Sequence, residues 1–314
     1  MNVQDRVIIP GQKVLIIGNG FDLDLGLKTQ FSDFANSDFW PFNAPSEIYG
    51  LENYLYSQKK CQKWLDLEKS LETYATTAKY TSKALSNIRA VKAAHGDLLD
   101  KFMLYLGHEL DHSQIKRDSV AAGVLRAIIE NGYYDSVYSF NYTSLSELAK
   151  KLGIDVQQKA VHIHGELRNK SAILGFNEKV DVDDKLKFLY KTFSPYYSSN
   201  SLRHDLYRAE EVVIFGHSLG SVDYSYFDEF FKSMVSDSKF ILNRRKVTIF
   251  TYDEYSKLNI LIQLRNMNEK NTDLLYGLND FNIICTKTPD SECLNAFYSH
   301  QENHKKGTYG ITKL

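Results

Sequence analysis

Six short runs dominated by Val, Ile, Tyr and Phe punctuate the chain: VLII (14–17), SVYSF (136–140), AVHIH (160–164), VVIF (212–215), VTIFTY (247–252) and FNIIC (281–285). Strands that are apolar throughout must be covered on both faces, which is the condition of a parallel sheet held between two helical layers. The segments SLSELAKKL, YFDEFFKSMV and YSKLNILIQLRN between the runs carry helical spacing and supply that cover. This alternation predicts a doubly wound, mainly parallel α/β sheet of Rossmann-like type. The long interval between the first two runs is the exception. Its apolar residues, three and four apart in WLDLEKSLETY and LLDKFMLYL, predict a helical insertion at about residues 38–132, packed over the sheet's carboxyl edge. With five prolines and no Ser/Gly-rich linker, residues 1–314 read as a single α/β domain.

Composition excludes several function classes. A formal net charge of −1 provides no global field to recruit nucleic acid or an anionic membrane, and the cluster NRRK (243–246) reads as a solvated edge. Three cysteines without a C-x-x-C pair argue against a disulfide framework or a cysteine-built zinc site and fit a reducing cytoplasm. No apolar run approaches the length of about 18 residues that a membrane span needs. A cytoplasmic location is therefore expected, with no nucleic-acid or membrane partner.

The chemistry concentrates where strands end. KVLIIGNGFDLDLGLKTQF (13–31) runs from a strand into Gly18-Asn19-Gly20, with Gly26 six residues further on. That spacing is neither G-x-G-x-x-G nor a P-loop. Such a turn lies where open α/β sheets bind ligands, so Gly18 and Gly20 are expected to let the backbone approach a phosphate or ribose. Enlarging Gly20 should then block a ligand and spare the fold. Asp22 reads either as a helix N-cap or as a carboxylate meeting a ribose hydroxyl or a developing positive charge. Asn141, ending the second run, has an amide that donates and accepts at once; its plain alternative is an Asx-turn. In VHIHGEL (161–167) strand alternation puts His162 and His164 on one face, with His164 at the sheet edge and His162 packed in the core. An ordinary pKa of about 6.5 suits His164 as a base. Glu68, four residues after Trp64 on the apolar side of its helix, reads as a site carboxylate or as a structural partner of a Lys or Arg.

Two further motifs compete. VVIFGHSLG contains G-x-S-x-G, and Asp253 followed by His300 or His304 completes a triad order for an esterase of α/β-hydrolase type using Ser218. Against it, no HGGG-type element precedes the motif, and the residues after Gly220 delay the helix that a nucleophile elbow enters at once. HELDH (108–112) matches H-E-x-x-H, with Glu130 downstream as a third ligand. It reads more simply as the polar end of a helix, and no metal is expected.

In their order, the glycine turn, Phe140-Asn141, His164-Gly165 and Gly216-His217-Ser218-Leu219 resemble the sirtuin-type NAD-binding fold. More narrowly, GNGFDLDLGLKTQFSDF and WLDLEKSLETY look like the bacterial abortive-infection AbiH family of phage-defence proteins. The resemblance implies that Gly18, Asn19, Gly20, Phe21, Gly26, Gly165, Gly216 and Ser218 contact NAD. It implies that Asn141 holds ribose and water, that His164 is the base, and that Asp22 joins them. Thr143 stands where sirtuin deacetylases carry an aspartate, and their four-cysteine zinc module is missing, so deacetylation is not expected. The expected function is an NAD glycohydrolase effector, with NAD as substrate or ligand. The alternative is a non-catalytic nucleotide-sensing or protein-binding defence module. A second copy of the chain and a phage-derived trigger protein are the macromolecular partners left open.

Overall fold

A computed structural model describes residues 11–43, 50–61, 66–129, 132–154, 159–236 and 244–307. In chain order it contains β1 (Gln12–Ile17), α1 (Asn19–Asp24), α2 (Phe31–Ala35), α3 (Leu51–Cys61), α4 (Leu67–Thr76), α5 (Ala78–Ser86), α6 (Ile88–His112) and α7 (Val120–Ile129). Then follow β2 (Ser136–Ser139), α8 (Leu145–Leu152), β3 (Val161–His162), α9 (Leu202–Arg208) and β4 (Ala209–Phe215). After these come α10 (Tyr224–Ser236), β5 (Lys246–Thr251), α11 (Glu254–Met267), α12 (Thr272–Leu278), β6 (Asp280–Cys285) and α13 (Ser291–Gly307). Short 3-10 turns occupy Asp184–Leu189, Lys191–Phe193 and Ser221–Asp223.

The six strands coincide with the six apolar runs and pair in parallel in the order β3-β2-β1-β4-β5-β6. Val14 and Ile16 of β1 face one apolar layer with Val212 and Ile214, and Leu15 and Ile17 face the other with Val213 and Phe215. α7, α8 and α13 cover the second layer, and α9 to α12 cover the first. Burial on both faces is why these runs show no alternation. β3 is shorter than the sequence predicts: only Val161 and His162 are strand, and His164 lies in the turn beyond. The ladder ends where Ile173 N–H donates to His164 O at 2.8 Å, drawing the chain away from β2.

From α2 to α6 the helices build a separate apolar cluster. Phe34, Leu71, Tyr74 and Phe102 pack there with Leu174, Phe176 and Leu189 from the β3–β4 connection. Tyr142, just past β2, packs against this cluster, its ring 5.5 Å from that of Phe102. The helical layer thus sits over the carboxyl edge. α7, in the same interval, joins the sheet's own core instead. The basic cluster at 244–246 is not simply a solvated edge: Arg245 is buried, donates to Tyr207 O at 3.0 Å and lies over the Phe230 ring.

Strand order reverses between β1 and β4, and a close contact forms at their carboxyl ends. Gly18 N–H donates to Phe215 O at 2.9 Å, and Gly20 N–H to Gly216 O at 2.8 Å. A Cβ on Gly20 would lie 2.7 Å from Gly216 Cα, and one on Gly18 2.5 Å from His217 Cα. Gly216 also has φ +66°, a left-handed conformation that suits glycine.

This contact changes the expectation for Gly20. Gly20→Val is expected to destabilise the fold, by at least about 1–3 kcal/mol, because the side chain must displace backbone. A wild-type denaturation midpoint for the variant would show the contact to be dispensable.

Candidate functional site

Asp22 lies inside α1, not at its N-cap, and is almost wholly buried. Asn141 Nδ2 donates to its Oδ1 at 2.8 Å and Thr143 Oγ1 to its Oδ2 at 2.6 Å. Thr143, the departure from the sirtuin pattern, is therefore the second anchor of this carboxyl. Asn141 also donates to Gly18 O at 3.1 Å, which ties the end of β2 to the glycine turn. Its own side-chain oxygen is buried and has no hydrogen-bond partner among the described residues. A buried acceptor left in this state costs about 1–3 kcal/mol unless a ligand or water fills it. Burial pushes Asp22 up to about 7, against the hydrogen bonds from Thr143 and Asn141. The carboxyl can thus exchange a proton near neutrality.

A second cluster surrounds Lys191. Its Nζ lies 2.9 Å from Glu68 Oε2, 3.3 Å from Asp223 Oδ1 and 3.1 Å from His164 Nε2. Burial works against this ammonium, yet Asp223 and Glu68 hold its pKa above the ordinary lysine value. Burial likewise opposes the Asp223 charge, but Lys191 and His164 keep Asp223 well below the usual carboxylate range. Glu68 is pushed up to about 8 by burial, against the pull of Lys191. Asp223 is accordingly the charged partner of Lys191, and Glu68 is the one that takes a proton more readily. Of the two sequence readings of Glu68, the structure bears out the pairing with a lysine, and that lysine also touches His164.

The Lys191 contact revises the role expected for His164. Burial and then the Lys191 charge push its pKa down to about 4, not the 6.5 of a free imidazole. Nε2 lies 3.1 Å from Lys191 Nζ and 3.4 Å from Asp223 Oδ1, so in either tautomer this nitrogen is already engaged within the cluster. His217 is fixed as well. Leu219 N–H donates to its Nδ1 at 3.0 Å, leaving Nε2 to face Asp223 Oδ2 at 3.4 Å. Phe140 separates the two rings, edge-on to His164 at 5.3 Å and to His217 at 4.3 Å. His162 is half-buried, not packed in apolar core: its ring contacts Asn141 O at 2.9 Å and Glu166 Oε2 at 3.2 Å.

The glycine turn differs from an open phosphate cradle. The amides of Gly18, Gly20 and Phe21 already donate to Phe215 O, Gly216 O and Gly18 O. Asn19 is tied to Thr29, whose hydroxyl donates to its Oδ1 at 2.6 Å. Phe21 is a core residue, edge-on to Phe215. Gly26, φ +91°, closes α1 beside Lys116. Gly165 packs its open face on Ser171 O, where a Cβ would come within 1.9 Å. Ser218 is exposed.

The Ser218 triad is not assembled. Its motif runs into a 3-10 turn, and α10 begins only at Tyr224. Asp253 caps α11 by accepting from Ser256 N–H and Oγ–H, and His300 meets Glu211 near the start of β4, at the opposite edge of the sheet. The side chain of His304 lies outside the described residues, as do Trp64 and Glu130. In HELDH, Glu109 Oε1 accepts from Lys28 N–H and the Ser113 hydroxyl, while the His108 and His112 rings stack at 4.2 Å. Among the described residues no three His, Cys, Asp or Glu side chains converge as a metal set.

Lys191, Asp223 and His217 escaped the sequence reading. Asp223 carried a weak signal as a lone acid in SVDYSYF, and Lys191 in FLYKTF as a lone cation among aromatic residues. Neither pattern distinguishes a buried charge from an exposed one.

Residues 14–243 match the profile of a family described as bacteriophage abortive infection AbiH. No curated protein matches the chain.

Two measurements check this electrostatic arrangement. Proton NMR of His164 should give a midpoint near 4, and Lys191→Met should raise it, because removing the ammonium favours the imidazolium; an unmoved midpoint would reject the contact. For Asp22 the native state holds its proton up to about 7 while the unfolded chain releases it near 3.8, so the native state binds more protons in that window and stability falls as pH rises. Asp22→Asn should flatten this slope in thermal midpoints between pH 4 and 8. Parallel curves for variant and wild type would remove Asp22 as the cause.

Proposed function

The chain belongs to the bacteriophage abortive infection AbiH family, and from that premise we propose that it acts in phage defence by cleaving the N-glycosidic bond of NAD or a related nucleotide. The observation that carries the reading is the buried Asp22–Asn141 pair at the strand-order reversal, with the Asn141 Oδ1 acceptor unpartnered among the described residues. Ligands of open α/β sheets bind at such a reversal. The order of motifs, similar to the sirtuin type, supports NAD as the substrate class.

In this reading a ribose hydroxyl or the attacking water donates to Asn141 Oδ1. Nicotinamide leaves as the neutral ring, taking the electrons of the C–N bond. Water oxygen bonds to C1′ and its proton passes to the Asp22 carboxylate. The negative charge of Asp22 also offsets the oxocarbenium-like centre. The base is Asp22, whose pKa is suited to the task, while His164 contributes only after Lys191 leaves its Nε2. The occupied amides of the glycine turn do not fit a pyrophosphate cradle, so the phosphates require other partners.

A non-catalytic sensing role is the second reading, favoured by the engagement of His164 Nε2 with Lys191 and Asp223. A timed assay of NAD loss separates the two. Asp22→Asn and Asn141→Ala should each lower turnover by roughly 10² to 10⁴. Wild-type kcat/KM should rise with pH around about 7, since the ionised carboxylate is the active form. Wild-type protein that binds NAD by calorimetry and consumes none would replace cleavage with sensing.

A further inference from the structure

Beside the Lys191 cluster lies a cleft of about 100 Å³ that opens to solvent, so that a ligand seated in it extends past the rim. Lys191 lines it from the buried side, with Phe176 as its apolar wall. Tyr197 and Tyr226 present rings, and the Arg203 guanidinium sits 5.8 Å from the Tyr226 ring centre. Asn177 and Ser225, joined by a 3.1 Å hydrogen bond, add polar groups to the wall.

We propose that this cleft binds a nucleoside phosphate, its base stacked on Tyr197 and Tyr226 and its phosphate drawn toward Arg203 and Lys191. Three features select that class. Arg203 is exposed and forms no ion pair among the described residues, so its charge is available to an anion. Lys179 at the rim is only loosely held, 3.7 Å from Asp228. Tyrosine rings beside a guanidinium match a flat aromatic base next to an anionic group, a pairing that neither inorganic phosphate nor an uncharged nucleoside fulfils. The proposal depends on the glycohydrolase reading only in naming the nucleotide class. It supplies the phosphate partners that the closed glycine turn lacks.

The test is calorimetry of the full chain with AMP, adenosine and inorganic phosphate, each also titrated into Arg203→Glu and Tyr197→Ala, alongside the NAD assay. Both substitutions are at exposed positions, and circular dichroism checks the fold. The expected result is AMP binding to wild type that is at least roughly tenfold tighter than adenosine or phosphate, weakened at least roughly tenfold by each variant. No AMP binding, AMP no tighter than phosphate, or AMP affinity unchanged in both variants would overturn the proposal. AMP binding lost in the variants while wild type leaves NAD intact would sustain the cleft and sink the cleavage reading, so the two failures are distinguishable.

Discussion

The contact between the β1–α1 turn and the end of β4 organises the site. Gly18 and Gly20 lie so close to Gly216 and His217 that no side chain fits between them, and two amide hydrogen bonds close the gap. The approach sets Asp22 on the first turn of α1 within reach of Asn141, which itself holds Gly18 O. It also sets His217 against Phe140 and Asp223. Small residues at this junction serve backbone packing first. Any ligand chemistry depends on what that packing brings together.

The second constraint is electrostatic. A buried ammonium costs several kcal/mol unless paired, and Lys191 is paired with two carboxyls and an imidazole from three other stretches of chain. α4 of the helical layer, the β3–β4 connection, the turn after β3 and the 3-10 turn before α10 are locked to one another through this one charge. Removing Lys191 would leave Asp223 buried without its counter-ion, a change that costs about 3–5 kcal/mol in comparable pairs. The same charge adds to burial in depressing the basicity of His164, and it borders the cleft.

All six strands and the parallel arrangement were legible in the sequence because burial on both faces leaves a continuous apolar signature that needs no partner to be read. Asn141, His164 and Asp22 read as candidate site residues because they follow apolar runs or a glycine turn, and the ends of such runs form the sheet's carboxyl edge. Their roles were less legible. His164 reads as a neutral-pH base from its free pKa, but burial, and then a lysine 27 positions later in the chain, reverse that. The resemblance implies ligand contacts for Phe21 and Asn19; in the fold one is core and the other binds Thr29.

The sequence by itself determined the fold class, the family and the edge at which chemistry-bearing residues collect, since each depends on local pattern and order. Tertiary structure decided which of them touch, which carry charge and which are screened. Those properties arise from desolvation and from partners such as Lys191–Glu68, 123 residues apart, and Asn141–Asp22, 119 apart. No local pattern encodes a distance of 3 Å between such positions, nor the burial that moves a carboxyl up to about 7 and a histidine down to about 4.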